Sequence, residues 1–315
     1  METTAKGNPP DYSTFGSLLS FLAKRCVPLA RAWVRYAPLS FAKTTLWGWF
    51  GRRAHSFEVR VRAGFRDSGS TLDTLQNRLY WFGVWEPSIS EWVSRYLRPG
   101  DVVVDAGANI GYYTLLASGL VGEDGHVVAI EPATDAYRML ARSLNSNRVR
   151  NVTLIRAAIG RDRHRAVLYH GPSTNLGGSS LWMTGASDVA REEVEVVPLA
   201  ELLPAALLPR ISLIKIDVEG AEADALCGLE PILEFLPSHV AIVCELSPKH
   251  IAARGSTVAE LLERMRALGF RVYRIVNVYG ASAYLTRAVS PPCPLTGEVE
   301  NLVDVVFLRS SDPER

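Results

Sequence analysis

Four acidic residues follow short apolar runs: Asp105 after Val102–Val104, Glu131 after Val127–Ile130, Asp217 after Ile211–Ile216, and Glu245 after Val240–Cys244. Short apolar runs bounded by turn formers read as buried strands. A carboxylate at the exit of each strand marks one shared edge, where open α/β sheets take their ligands. Acids there can hold ribose hydroxyls or an ammonium, and one with a raised pKa can accept a proton from a hydroxyl. Glu219 follows Asp217 by two residues, and carboxylates that close raise one another's pKa. Asp217, Glu219 and Glu245 are therefore the candidate bases, in that order, ahead of His170 and His250. Glu222 is expected to cap the helix that follows, where an acid in the first turn is favourable.

The first strand opens into Gly107-Ala108-Asn109-Ile110-Gly111, and Tyr112–Leu120 can continue as a helix. Strand, tight loop and helix make a nucleotide-binding unit, with Glu131 at the end of the second strand placed for a ribose. A dinucleotide loop would keep small residues throughout, because a pyrophosphate sits on the helix start. Here Asp105 stands two residues before Gly107, and Asn109 takes the place of the central glycine. An acid so placed repels phosphate and suits the ammonium of an amino-acid moiety. S-adenosylmethionine carries that moiety and no phosphate; a nicotinamide-dependent oxidoreductase is the alternative on the same fold. Past the third strand, Val152–Ile155, the small Ala158 in Ala157–Gly160 leaves room for an adenine ring. Gly171–Ala186 is too long and glycine-rich for a plain connector and reads as a lid. Asn175, Ser179 and Ser180 could bond a polar ligand there, and Trp182 could cover it.

These residues need a frame to hold them. Further strands are expected at Val272–Val276 and Val303–Leu308, completing a seven-stranded, mostly parallel sheet with interleaved helices and a last strand free to run antiparallel. Arg165–Tyr169 and Val194–Val197 read as two extra strands, and Thr257 with Glu260 as a capping box. Two readings stay open for the aromatic segment Tyr80–Tyr96: it covers one sheet edge, or Glu86 and Tyr80 border the ligand.

With 315 residues and 48% hydrophobic composition, the chain can bury one α/β domain, expected over 55–315, plus an extension over 1–54. A net charge of +1 does not mark a nucleic-acid binder. The four cysteines lack metal-site spacing and read as reduced thiols of a cytosolic protein. No uncharged run reaches a membrane span. The extension begins with a polar segment, Met1–Tyr12, that reads as a disordered tail. It holds eight Lys and Arg against Glu2 and Asp11, an excess of six positive charges that leaves the remainder with an excess of five negative. Leu18, Leu22, Cys26, Leu29 and Trp33 fall on one helical face, with Lys24, Arg31 and Arg35 opposite. That face is expected to pack on the catalytic domain or a second subunit; the alternative is peripheral contact with an anionic membrane through residues 15–53.

Val104-Asp105-Ala106-Gly107-Ala108-Asn109-Ile110-Gly111-Tyr112-Tyr113-Thr114, Glu131-Pro132, Ala158-Ile159-Gly160, Gly178-Ser179-Ser180-Leu181 and Ile214-Lys215-Ile216-Asp217-Val218-Glu219-Gly220-Ala221-Glu222 together resemble the FkbM-type S-adenosylmethionine-dependent methyltransferases. The resemblance covers roughly residues 55–250. It implies a class I methyltransferase (Rossmann-like) fold and O-methylation of a hydroxyl on a sugar, glycolipid or polyketide-type natural product. By position it implies that Asp105, Gly107, Asn109 and Gly111 line the methionine end, with Tyr112 and Thr114 beside them. Glu131 would hold the ribose and Asp217 would sit near the sulfonium. A divalent metal gripping a vicinal diol would be a second way to activate the acceptor. A non-catalytic, membrane-associated scaffold on the same fold is the remaining alternative.

Overall fold

The computed structural model describes residues 26–37, 42–51, 54–172, 174–175, 177–181, 190–253, 255–278, 280, 284–285 and 289–309. Leu18, Leu22 and Trp182, and the tail expected before Tyr12, lie outside them. Helices α1 (26–36) and α2 (Lys43–Phe50) precede a hairpin of β1 (Ser56–Arg60) and β2 (Arg66–Ser70). Two helices that the sequence reading left undivided follow: α3 (Thr74–Phe82) and α4 (Pro87–Tyr96), parted at Gly83. Asp73 caps α3 by accepting from Gln76 N–H at 2.9 Å, and Pro87 opens α4, where its missing N–H costs nothing.

The βα units then run in order: β3 (Val102–Ala106), α5 (Tyr112–Val121), β4 (His126–Ile130), α6 (Thr134–Ser146) and β5 (Val152–Ile155). A side sheet of β6 (Ala158–Ile159), β7 (His164–Tyr169) and β8 (Arg191–Val197) interrupts them, in spatial order β6-β8-β7. The main sheet resumes with α7 (Leu199–Leu202), β9 (Ile211–Ile216), α8 (Glu222–Leu229), β10 (Ala241–Leu246), α9 (Pro248–Ala252), α10 (Val258–Ala267), β11 (Arg271–Ile275), β12 (Cys293–Pro294) and β13 (Val303–Leu308). Thr257 and Glu260 form the expected capping box at the start of α10.

The main sheet has the order β12-β11-β13-β10-β9-β3-β4-β5. β5, β4, β3, β9 and β10 are parallel, and β13 inserts antiparallel between β10 and β11. Seven strands agree with the sequence reading and with the class I methyltransferase fold; the eighth, β12, is a two-residue edge. Alternation sends Val102, Val104 and Ala106 into one core with α8 and α10, and Val103 into the other with α3, α4 and α5. The chain reverses direction around β3, and that switch point opens a crevice beyond the strand ends.

The extension corrects an expectation. Val27, Ala30, Val34 and Arg35 are the buried side of α1, and Leu29 and Trp33 face outward. The docked side packs Val27, Ala30 and Val34 into the core with α3 and α4, and two cations beside them find acceptors on the domain. Arg31 Nε donates to Tyr80 O at 2.8 Å with its guanidinium 4.8 Å from the Tyr80 ring, and Arg35 donates to Arg60 O at 3.0 Å. Tyr80 is thereby occupied under α1 and does not line the crevice.

Candidate active site

Gly107 turns the chain at the end of β3 with φ 86°, and a Cβ there would stand 1.7 Å from the carbonyl oxygen of Asp217. Only glycine lets these two strand ends approach so closely. The loop and the segment after β9 thus meet at the mouth of a cavity of about 300 Å³.

Asp105 forms its buried floor. Oδ2 accepts from Thr114 Oγ1 at 2.5 Å, whereas Oδ1 is buried without a hydrogen-bond partner. Burial raises the Asp105 pKa against the lowering pull of Lys215 and the Thr114 hydrogen bond. A buried carboxylate oxygen with no donor is costly unless a ligand supplies one. Asn109, with φ 50°, donates its N–H to Glu131 Oε2 at 2.7 Å, and Ala133 N–H reaches Glu131 Oε1 at 2.8 Å. Each Glu131 oxygen keeps capacity for a hydroxyl donor. Burial nevertheless pushes Glu131 up to about 7, beyond what those two N–H groups restore. Ala158 and Ile159 supply the small and apolar wall expected for a ring.

Across the crevice, Lys215 Nζ lies 2.7 Å from Asp217 Oδ2 and 4.7 Å from the Tyr113 ring centre. Burial opposes the ammonium charge, but Asp217, Glu86 and Asp105 outweigh it and raise the Lys215 pKa. Glu219 has φ 49°, the left-handed region that a side chain rarely takes. Behind it, Glu222 stands in the first turn of α8 but does not cap it as expected: its Oε1 accepts from Gly220 N–H at 2.9 Å in the preceding turn, and no side chain caps the helix. Glu219 is pushed up to about 8 by burial first, then by Asp217, Glu245 and Glu222, with Lys215 pulling the other way. Glu245 belongs to β10 and pairs across the sheet with Asp304, whose pKa is raised by burial and by Glu86, Glu245 and Asp217.

Described residues of the Gly171–Ala186 segment are tied to the domain, and Ser180 exchanges backbone hydrogen bonds with Tyr169. Ser180 Oγ donates to Glu219 O at 2.7 Å, and Thr74 N–H donates to Thr174 O at 2.9 Å. Asn175 and Ser179 line the cavity.

The site residues read from sequence divide accordingly. Glu86, Asp105, Gly107, Asn109, Tyr112, Glu131, Ala158, Ser179, Asp217, Glu219 and Glu245 all line the cavity. Gly111 and Thr114 do not. A Cβ at Gly111 would meet Leu140 Cδ1 at 2.2 Å, so this glycine admits α6, and Thr114 is fully buried and orients Asp105 from behind. Glu86 stands at the N-cap position of α4, where its side chain makes no capping bond and instead accepts from Tyr113 OH at 2.7 Å, while Tyr112 OH, its pKa pushed up to about 12 by burial, lies 2.9 Å from Ser90 Oγ. Lys215, Tyr113 and Trp85 line the cavity without having been singled out. Lys215 carried a readable signal: a lone lysine inside an otherwise apolar strand needs a buried anion. Among the described residues, no group of three or more His, Cys, Asp or Glu is placed to hold a metal ion.

The sequence pattern that defines the Methyltransferase FkbM domain matches residues 105–272, more than half of the chain and the whole span from the Asp105 loop through β10 to β11. The chain belongs to the FkbM methyltransferase family. The cofactor of this family member is S-adenosylmethionine. A similar curated protein is Methyltransferase 1 of Beauveria bassiana, 27% identical over 146 residues, which are 41% of this chain and 58% of that protein. The protein-L-isoaspartate O-methyltransferase of Methanothrix thermoacetophila is 37% identical over 59 residues, 19% of this chain and 28% of that protein. The chain thus spans little more than half the length of the first relative and less of the second. Among solved structures, the methyltransferase FkbM of Methylobacillus flagellatus is similar at 16% identity and a TM-score of 0.41, covering 75% of this chain and 55% of that one. Family membership displaces the nicotinamide-dependent alternative.

Proposed function

We propose that this FkbM protein transfers a methyl group from S-adenosylmethionine to a hydroxyl oxygen of a sugar, glycolipid or polyketide-type acceptor. The observation that carries this reading is Glu219: a carboxylate at the cavity wall whose raised pKa makes it an effective base near neutral pH. A neutral hydroxyl is a poor nucleophile, and such a base takes its proton as the oxygen attacks.

When bound, S-adenosylmethionine supplies an electrophilic methyl on a sulfonium. Asp105 Oδ1, buried and unpartnered, is suited to the ammonium of the amino-acid end, and the backbone at Gly107 allows close approach. Glu131 is suited to the ribose hydroxyls, and Ala158 with Ile159 to the adenine face. Asp217 is held by Lys215 and is suited to supply fixed negative charge near the sulfonium. Glu245 sits beside Glu219 as the reserve base. Positioning of the two reactants by these walls contributes the larger share of rate.

The test is transfer of labelled methyl into polar-lipid and glycan extracts, with the product's linkage determined. Label in a methyl ether supports the reading; label on nitrogen or carbon, or none in any extract, removes it.

A further inference from the structure

A water-facing helix ordinarily turns its cations out and its apolar residues in, because burial of a large apolar side chain is worth about 2 kcal/mol and a lysine or arginine is cheaply solvated. Helix α1 follows this rule only in part: Val27, Ala30 and Val34 are buried as usual, but two arginines are turned toward the domain beside them and large apolar and aromatic side chains are left outside. Its arginines are directed inward, Arg31 to the Tyr80 carbonyl and ring and Arg35 to the Arg60 carbonyl. Its outward face carries Cys26, Leu29, Trp33 and Tyr36, at steps of three, four and three, which is one stripe. Leu29 is 74% exposed, Tyr36 71% and Trp33 44%. On α2, Trp49 is also turned out at 69%.

The composition of the stripe says what suits it. Trp and Tyr are the residues that settle at the boundary between lipid headgroups and acyl chains. In sequence, the stripe's spacing runs back through Leu22 and Leu18, and Lys24-Arg25 precede α1 while Arg52-Arg53 follow α2. Residues 1–54 carry an excess of six positive charges against an excess of five negative on the remainder; with Arg31, Arg35 and Lys43 turned into the domain, the sequence still offers Lys6, Lys24, Arg25, Arg52 and Arg53 to attract an anionic surface. Among the described residues no helix is long and apolar enough to cross a membrane, and an apolar stripe along one side of a helix suits binding in the plane of the surface. An apolar stripe plus basic flanks supplies the two signals that stable peripheral binding requires.

We infer that the outward stripe Leu29, Trp33 and Tyr36 of the N-terminal helix is a docking surface for an anionic lipid bilayer, with the helix pinned to the catalytic domain by Arg31 and Arg35. Because the pins fix α1 to the domain, docking also fixes the orientation of the domain on the bilayer. This inference is independent of the methyl acceptor.

The test uses the full chain and vesicles of phosphatidylcholine with or without phosphatidylglycerol, read by co-sedimentation, alongside Leu29→Glu with Tyr36→Glu. Both positions are exposed, so the double variant should fold, and its affinity for S-adenosylhomocysteine by calorimetry checks that it does. The expected result is binding that depends on phosphatidylglycerol and falls roughly tenfold or more in the double variant, with cofactor-product affinity unchanged. Absence of vesicle binding, or binding that the variant leaves intact, overturns the inference. A concentration-dependent dimer by sedimentation velocity that the variant abolishes, without vesicle binding, overturns it too and assigns the stripe to a second copy.

Discussion

Lys215 Nζ and Asp217 Oδ2 lie 2.7 Å apart at the end of β9, with Lys215 buried and Asp217 partly open to the crevice. The pair joins the sheet interior to the site: the lysine holds Asp217 in place and lies in the field of Asp105 and Glu86. Lys215→Met should leave those carboxylates without their shared cation, lowering the unfolding free energy by about 2–3 kcal/mol. Adding Asp217→Asn should recover part of that loss, as coupled partners do in a double-mutant cycle. Denaturant titration of the four proteins measures the coupling, and strict additivity would count against it.

Asp105→Asn keeps the shape of the side chain and a bond to Thr114 but removes the charge proposed to meet the ammonium. Affinity for S-adenosylhomocysteine should fall roughly ten- to a hundredfold, the worth of one charge-assisted hydrogen bond. Calorimetry at fixed pH checks this, and unchanged affinity would show that the ammonium binds elsewhere.

The two loop glycines should respond differently to alanine. At Gly107 a Cβ meets the backbone oxygen of Asp217, which cannot move without displacing the end of β9. Gly107→Ala is expected to abolish S-adenosylhomocysteine binding or folding. At Gly111 the obstruction is the tip of Leu140, a side chain that can rotate. Gly111→Ala should cost about 1–3 kcal/mol in left-handed backbone strain and repacking yet retain binding. Thermal melts with and without ligand separate the two outcomes.

The ligand-free protein should be more stable at pH 5 than at pH 8. Burial raises Asp67 to about 6 and Glu131 to about 7, and raises Asp105 as well. Between the ordinary and the raised pKa the folded state binds more protons than the unfolded one, so stability falls as pH rises through about 7 for Glu131 and goes on falling through about 8 for Glu219 and about 9 for Asp304. Glu131 alone accounts for a fall of up to about 3 kcal/mol. Differential scanning calorimetry across this range should give a declining melting temperature, and Glu131→Gln should flatten the decline.

Much of the site could be read from the chain because its residues terminate apolar runs. Asp105, Glu131 and Asp217 stand where the strands leave the sheet, and register then brings them together. The limits β5 and β13 were legible for the same reason, period and length alone deciding them. Gly111 and Thr114 were less legible, since a loop motif names the residues that shape a cradle as well as those that touch its contents. The orientation of α1 was not legible at all. The spacing offers two apolar faces, one with Leu29 and Trp33 and one with Val27, Ala30 and Val34, and which of them turns in depends on the core of the domain and on the carbonyls of Tyr80 and Arg60, 49 and 25 residues away from their arginines. The α3–α4 wall beside the cavity was hidden likewise, because aromatic density at Tyr80–Tyr96 carries no clear period.

Glu219 as the base for methyl transfer to a hydroxyl is tested most directly by the pH dependence of label transfer from S-adenosylmethionine in the wild type and in Glu219→Gln. Wild-type kcat/KM for the acceptor should rise with pH to a plateau, with an inflection at about 8 or lower because the sulfonium charge favours the carboxylate. Glu219→Gln should lose the inflection and roughly a hundredfold or more in rate while binding S-adenosylhomocysteine as the wild type does. A variant that keeps both the wild-type rate and the inflection would contradict the assignment.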